Sequence, residues 1–296
     1  MTSTDSVTRC RPVVELRNSL GESPVWDERD EALWWVDIPE ARIHRLHPAS
    51  GNTKSWIMPE RVAALALCRS GGLIIALASG FARFDPSTGA MEPVPVRPEL
   101  AAGQRLNDGR CDPAGRFWCG AMREEGEEAD ADLHVLRADG GITLWQRGLR
   151  IANGLNWSPD GQRFYVSDTP EGIIYVHDFD RESGRLGEAR IFHDGADVPG
   201  SPDGAAVDAE GFLWSARYGG GGLARFRPDG ELDRFLPLPV RDITCCAFGG
   251  PDLRSLYVTS ASEGLDGKEL AAQPWAGRLM VLDAGVPGLP ALRFAG

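Results

Sequence analysis

The chain has 296 residues, 42% hydrophobic and 25% charged, which is ordinary globular composition with enough length to bury a sizeable core and excludes a disordered or collagen-like chain. A formal charge of -12 without any basic stripe argues against nucleic acid as a partner. Apolar runs such as Leu73-Ile74-Ile75-Ala76-Leu77-Ala78 fall far short of the roughly 20 residues of a membrane helix. The N-terminus has no charged-then-apolar leader, so a cytoplasmic protein that engages no membrane is expected. The six cysteines form no CxxC pair and read as buried free thiols.

Taken in order, the chain repeats one unit: an apolar strand, a turn rich in Asp, Gly or Pro, and a second strand led by Leu or an aromatic residue. Val25-Trp26-Asp27 leads to Leu33-Trp34-Trp35-Val36, and Ala66-Leu67-Cys68 passes through Arg69-Ser70-Gly71-Gly72 to Leu73-Ile74-Ile75. Cys111-Asp112-Pro113-Ala114-Gly115-Arg116 precedes Phe117-Trp118-Cys119, and Trp157-Ser158-Pro159-Asp160-Gly161 precedes Phe164-Tyr165-Val166. Val207-Asp208-Ala209-Glu210-Gly211 and Phe248-Gly249-Gly250-Pro251-Asp252 open two further copies. Third strands follow several of these hairpins, as in Ile43-His44-Arg45-Leu46 and Ile174-Tyr175-Val176-His177. A spacing of roughly 40 to 50 residues is that of a four-stranded propeller blade. The pattern predicts an all-β, six-bladed β-propeller filling residues 1–296 as one domain. The N-terminal Val13-Val14-Glu15-Leu16 is expected to close the last blade beside Arg278-Leu279-Met280-Val281-Leu282.

Equivalent blades place equivalent residues at one height around the central channel. Counting back about ten or eleven positions from the second-strand landmarks reaches Glu22, Asn107, Asn153, Asp203 and Cys245, while the second blade offers Ala63. Each polar residue among these has an ordinary reading as a turn residue, but a shared offset in four blades points to convergence on one axis. Two carboxylates and two carboxamides suit a hard or borderline divalent cation. No histidine falls at this offset, which argues against a His-rich zinc site. Nucleophile-elbow, P-loop and dinucleotide fingerprints are absent.

Gly21-Glu22-Ser23-Pro24-Val25-Trp26, Arg105-Leu106-Asn107-Asp108-Gly109, Gly120-Ala121-Met122, Asn153-Gly154-Leu155, Pro202-Asp203-Gly204 and Cys245-Cys246-Ala247-Phe248-Gly249-Gly250 occur in an order that resembles the senescence marker protein, gluconolactonase and luciferin-regenerating enzyme family. The resemblance implies one divalent cation, Ca2+ or Zn2+ first with Mn2+ and Mg2+ as alternatives, held by Glu22, Asn153 and Asp203. It implies substrate binding by Arg105, Asn107 and Glu125, with Glu124 selected instead if the acidic loop slips by one residue. The expected activity is hydrolysis of sugar lactones such as gluconolactone, arabinonolactone or xylonolactone, with Asp203 as general base. A calcium-binding regulatory protein, or a propeller hydrolase for organophosphates or aryl esters, is the competing expectation. Arg217-Tyr218 departs from the family pattern beside the pocket.

Overall fold

The computed structural model describes residues 10–126 and 128–296, apart from the side chains at 146 and 147. After β1 (Arg11–Arg17), the first blade holds β2 (Gly21–Asp27), β3 (Ala32–Asp37), β4 (Arg42–His47) and β5 (Asn52–Ile57). The second holds β6 (Val62–Leu67), β7 (Leu73–Leu77), β8 (Gly80–Asp85) and β9 (Ala90–Pro93), and the third β10 (Gln104–Cys111), β11 (Phe117–Arg123), β12 (Ala131–Leu136) and β13 (Ile142–Leu149). The fourth comprises β14 (Ala152–Trp157), β15 (Arg163–Asp168), β16 (Ile173–Asp178) and β17 (Arg190–His193), and the fifth β18 (Ser201–Val207), β19 (Leu213–Tyr218), β20 (Gly222–Phe226) and β21 (Leu232–Pro237). β22 (Ile243–Gly249), β23 (Ser255–Ser260), the short helix α1 (Gly267–Ala272) and β24 (Arg278–Asp283) complete the chain of elements.

All six sheets are four-stranded and antiparallel, and the chain is a six-bladed β-propeller. The sixth blade has the order β1-β24-β23-β22, with Arg11 opposite Val281 and Pro12 opposite Met280. The ring is thus closed by hydrogen bonds between the two ends of the chain, which leaves only short blade edges exposed.

Because every blade is packed on both faces, its inner strands are buried throughout rather than on alternate positions: β3, β6 and β7 are buried at every position. Apolar side chains collect into six clusters, one at each junction between neighbouring blades. At the closing junction Trp26 stacks on Tyr257 with ring centroids 5.9 Å apart. Truncating a Leu or Ile in such a layer to Ala costs about 2–5 kcal/mol. The blades are therefore rigid walls around the channel.

Candidate active site at the channel mouth

Each innermost strand starts at one end of the channel and runs to the other, and each carries a β-bulge in its first half. The pairing steps from Glu22 opposite Val36 to Val25 opposite Trp34 in β2, and from Leu106 opposite Ala121 to Gly109 opposite Cys119 in β10. It steps likewise between Asn153 and Asn156 in β14 and between Pro202 and Ala205 in β18. β6 and β22 have the same insertion at Val62/Ala64 and Ile243/Cys245. An extra residue breaks the two-residue alternation and re-aims the side chains around it, which is how polar groups come to face the axis of an otherwise apolar wall. Ser23 and Gly154, at matching places in their bulges, take left-handed φ angles of 49° and 64°. Asn153-Gly154 is thus a bulge rather than a hairpin turn. Gly204 answers a different need: a Cβ there would lie 2.2 Å from Cys245 Sγ.

Glu22, Arg105, Asn107, Asn153 and Asp203 are all buried at this end of the channel. A hydrogen-bond relay fixes the amides. Arg105 Nη1 donates to Asn107 Oδ1 (2.9 Å), and Asn107 Nδ2 donates to Asn153 Oδ1 (2.8 Å). Asn153 Nδ2 then donates to Thr169 Oγ1 (2.9 Å), whose hydroxyl donates to the Pro202 carbonyl (2.8 Å). The relay joins the third, fourth and fifth blades and points the Asn153 oxygen away from Thr169.

The carboxylates are far less well satisfied. Glu22 Oε2 accepts from the Ser23 amide at 2.7 Å, and burial followed by the charges of Asp203 and Asp108 pushes its pKa well above the usual carboxylate range. Burial, then the charge of Asp108, does the same to Asp203. Asp108, the neighbour of Asn107 in the β10 bulge, is itself raised by burial although its Oδ2 accepts from the Leu155 amide at 3.1 Å. Three buried acids converge on one small volume.

The structure places Glu22, Asn107, Asn153 and Asp203 at this one mouth together with Asp108, which sequence counting passed over because only one residue per blade was aligned. In blade six the count reaches Cys245, whereas the bulge encloses Thr244, whose Oγ1 donates to the Gly21 carbonyl at 2.6 Å. Glu125 is exposed, and no ion pair or hydrogen bond joins it to Arg105 among the described residues. Glu124 does meet it: its Oε1 lies 3.5 Å from Arg105 Nε and contacts Arg61 Nη1. Arg61, Tyr218 and Glu263 also reach the mouth, since Arg105 feels Arg61 and Glu263, and Tyr218 feels Asp203. They sit at strand ends and in inter-blade loops, so no repeat offset could have found them. Arg217 turns away, donating to the Pro199 and Gly200 carbonyls at 3.1 and 2.6 Å.

The donor set is oxygen. Burial holds His44 and His134 down to about 4, neutral on the third strands of their blades and away from the axis. The Cys119 and Cys245 thiols beside the site are pushed up by burial, which disfavours a thiolate. Among the described residues no group of three or more His, Cys, Asp or Glu side chains is arranged to hold a metal ion. Any cation bound here would lean on the carboxamide of Asn153 as well as the carboxylates. Two buried acids with no salt bridge among the described residues are costly, and a divalent cation held by Glu22, Asp203 and the Asn153 oxygen would offset that cost, so the residues fit one.

A closed propeller whose bulged inner strands gather carboxylates and carboxamides at one channel mouth defines the class: a β-propeller with an axial oxygen-donor site. Residues 20–262 match the SMP-30/Gluconolactonase/LRE-like region, and the chain belongs to that family. It is 38% identical to a 6-deoxy-6-sulfogluconolactonase of Pseudomonas putida, over 96% of this chain and 98% of that one. It is 40% identical to an L-arabinolactonase of Azospirillum brasilense, over 96% of this chain and 95% of the relative. The crystal structure of a calcium-binding protein, regucalcin, from Agrobacterium tumefaciens superposes with a TM-score of 0.90 at 32% identity, covering 97% of each chain.

Proposed function

We propose that the protein hydrolyses sugar lactones to aldonic acids with one divalent cation held by Glu22, Asn153 and Asp203. The observation that carries this reading is the pair of buried, mutually repelling carboxylates, Glu22 and Asp203, beside a hydrogen-bonded carboxamide relay that ends in Arg105. The names of the curated relatives, two of them lactonases acting on sugar acids' cyclic esters, support the substrate class. A divalent cation supplies Lewis-acid polarisation of the ester carbonyl.

The remaining work falls to the chain's own residues. Asp203 takes a proton from the attacking water as its oxygen bonds to the lactone carbonyl carbon. The ring C–O bond then breaks, and the departing ring oxygen takes that proton back from Asp203 to become the hydroxyl of the aldonic acid. Arg105 and Asn107 orient ring hydroxyls, and the relay through Asn153 and Thr169 keeps them in place before substrate arrives. Donors and acceptors around the mouth favour hydroxyl-rich substrates over aryl esters, which need apolar walls.

The test is a lactone panel assayed with metal-loaded and chelator-stripped protein. Sugar lactones should be turned over with far higher kcat/KM than simple aliphatic lactones, and chelation should abolish turnover, with added Ca2+, Zn2+, Mn2+ or Mg2+ restoring it to different extents. Full turnover by metal-free protein would overturn the cation's role. Tight cation binding without hydrolysis of any lactone would overturn the hydrolase reading in favour of a calcium-binding protein.

A further inference from the structure

Beside the axial site, Arg105 meets two charged side chains, Arg61 and Glu124, that the hydrolytic steps do not use. Arg61 immediately precedes β6, in the blade that brings only Ala63 to the axis, and its backbone is pinned by the Ala78 amide, which donates to the Arg61 carbonyl at 2.9 Å. Glu124 follows β11 on the acidic loop, tied by its amide to the Gly103 carbonyl at 3.1 Å. One oxygen of Glu124 lies between the two guanidinium groups, touching Arg61 Nη1 and standing 3.5 Å from Arg105 Nε.

We infer that the substrate is a lactone carrying an anionic group at the end remote from the ester, a carboxylate, sulfonate or phosphate, and that Arg61 and Arg105 hold this group where Glu124 now lies. The inference rests on the lactonase reading and names the substrate class of the same site. Arg105 is buried, and its Nε has no hydrogen-bond partner among the described residues. A buried guanidinium N–H left unmade is costly, and an oxyanion reaching it through the mouth would satisfy it. Arg61 and Glu124 each have 48% of their side-chain surface exposed, and a pair this open contributes only about 0–1 kcal/mol. The Glu124 carboxylate is thus a weakly held stand-in that a ligand anion can displace.

Glu263 also acts electrostatically on Arg105 and Arg61. Glu60, on the rim of the same cavity, is turned to Ser79, whose amide and hydroxyl donate to it at 3.1 and 2.8 Å. Paired guanidinium forks suit a planar carboxylate or a tetrahedral oxyanion better than a neutral hydroxyl. There is room for the group: a cavity of about 630 Å³ opens beside Arg105, lined by Arg61, Ser79, Gln104 and Glu124 among others. The other face of Arg105 reaches Asn107, and through it Asn153. A sugar lactone anchored by its anionic end at Arg61 and Arg105 therefore has its ester directed toward the axial carboxylates.

The experiment compares two substrates with the same ring, a neutral hexonolactone and the corresponding aldarate monolactone with a terminal carboxylate, on metal-loaded enzyme. Wild type should prefer the anionic lactone, and Arg61→Ala should lower its kcat/KM about ten- to hundredfold while changing the neutral lactone less than about threefold. Glu124→Gln should raise kcat/KM for the anionic lactone relative to the neutral one. Equal losses on both substrates, or an unchanged preference in Arg61→Ala, would overturn the inference while leaving the lactonase reading intact. If neither lactone is hydrolysed, the lactonase reading has failed instead. Calorimetric binding of the aldarate then still decides whether Arg61 recognises the anion: wild-type and Arg61→Ala affinities that are the same would overturn it.

Discussion

Asp203 lies near the start of the inner strand β18 and Asp208 directly after its end, and both are buried, yet they are opposites in chemistry. Asp208 Oδ1 accepts from the Glu210 and Phe212 amides, each at 3.0 Å. Its Oδ2 accepts from Trp214 Nε1 at 2.9 Å and from Arg225 Nε and Nη2 at 2.9 and 2.7 Å. Among the described residues Asp203 has only the Gly204 amide, with Asp108 and Glu22 as near neighbours. β10 repeats the contrast. Asp108 sits in the crowded bulge, while Asp112, just past the strand's end, accepts from the Ala114, Gly115 and Arg116 amides and from Trp118 Nε1. The far end is also sealed: Gly288 bridges to Asp208 and Phe294 to Cys68, so the C-terminal segment crosses that opening over a cavity of about 340 Å³ lined by Val25, Trp26, Trp157 and Phe248 among others. A buried carboxylate matched donor for donor holds the fold together, and one left short of donors is available to a ligand.

Paired substitutions should separate these roles. Asp203→Asn keeps a coordinating oxygen but removes the proton acceptor, so at saturating cation kcat should fall about 10²- to 10⁴-fold, or about 3–5 kcal/mol. Its stability in urea should hold or rise, because a repelling buried charge is gone. Near wild-type kcat with measured full cation occupancy would reduce Asp203 to a ligand and move the base to Glu22.

Asp208→Asn should do the reverse. The amide it introduces turns donors toward the Arg225 guanidinium and the Trp214 indole, costing about 3 kcal/mol of stability, read as a lower urea midpoint with unchanged slope. The kcat per folded molecule should stay at the wild-type value. A loss of kcat comparable with that of Asp203→Asn would erase the distinction between the two ends.

Thr169→Val gives the smallest effect and the sharpest look at the relay. It preserves shape but removes the acceptor for Asn153 Nδ2 and the donor to Pro202. Cation affinity should weaken about tenfold by calorimetry, with kcat recovering when cation is supplied in excess. Unchanged affinity would mean that the Asn153 oxygen needs no such support.

The repeat made the blades legible because each unit must supply its own hairpin and apolar faces, and those demands are local. The axial residues were legible for the same reason: the bulge occurs at one place in every inner strand, so Glu22, Asn107, Asn153 and Asp203 share an offset. Asp108 escaped because strict alternation would turn it away from its neighbour Asn107, and only the inserted residue lets adjacent side chains serve one site. The choice between Glu124 and Glu125 depends on how the loop after β11 folds over Arg105, which no local pattern encodes.

The sequence by itself determined the number of blades, the strand pairing within each and the four polar groups at the axis, since all of these follow from short-range periodicity repeated along the chain. Only the tertiary structure decided which buried acids are satisfied and which are not. Asp203 and Asp208 are five positions apart, and locally only the turn after β18 separates them, giving Asp208 two backbone amides. The rest of their difference arises from what other strands bring to each end of the channel: an indole and a guanidinium from β19 and β20 to Asp208, and further carboxylates from β2 and β10 to Asp203.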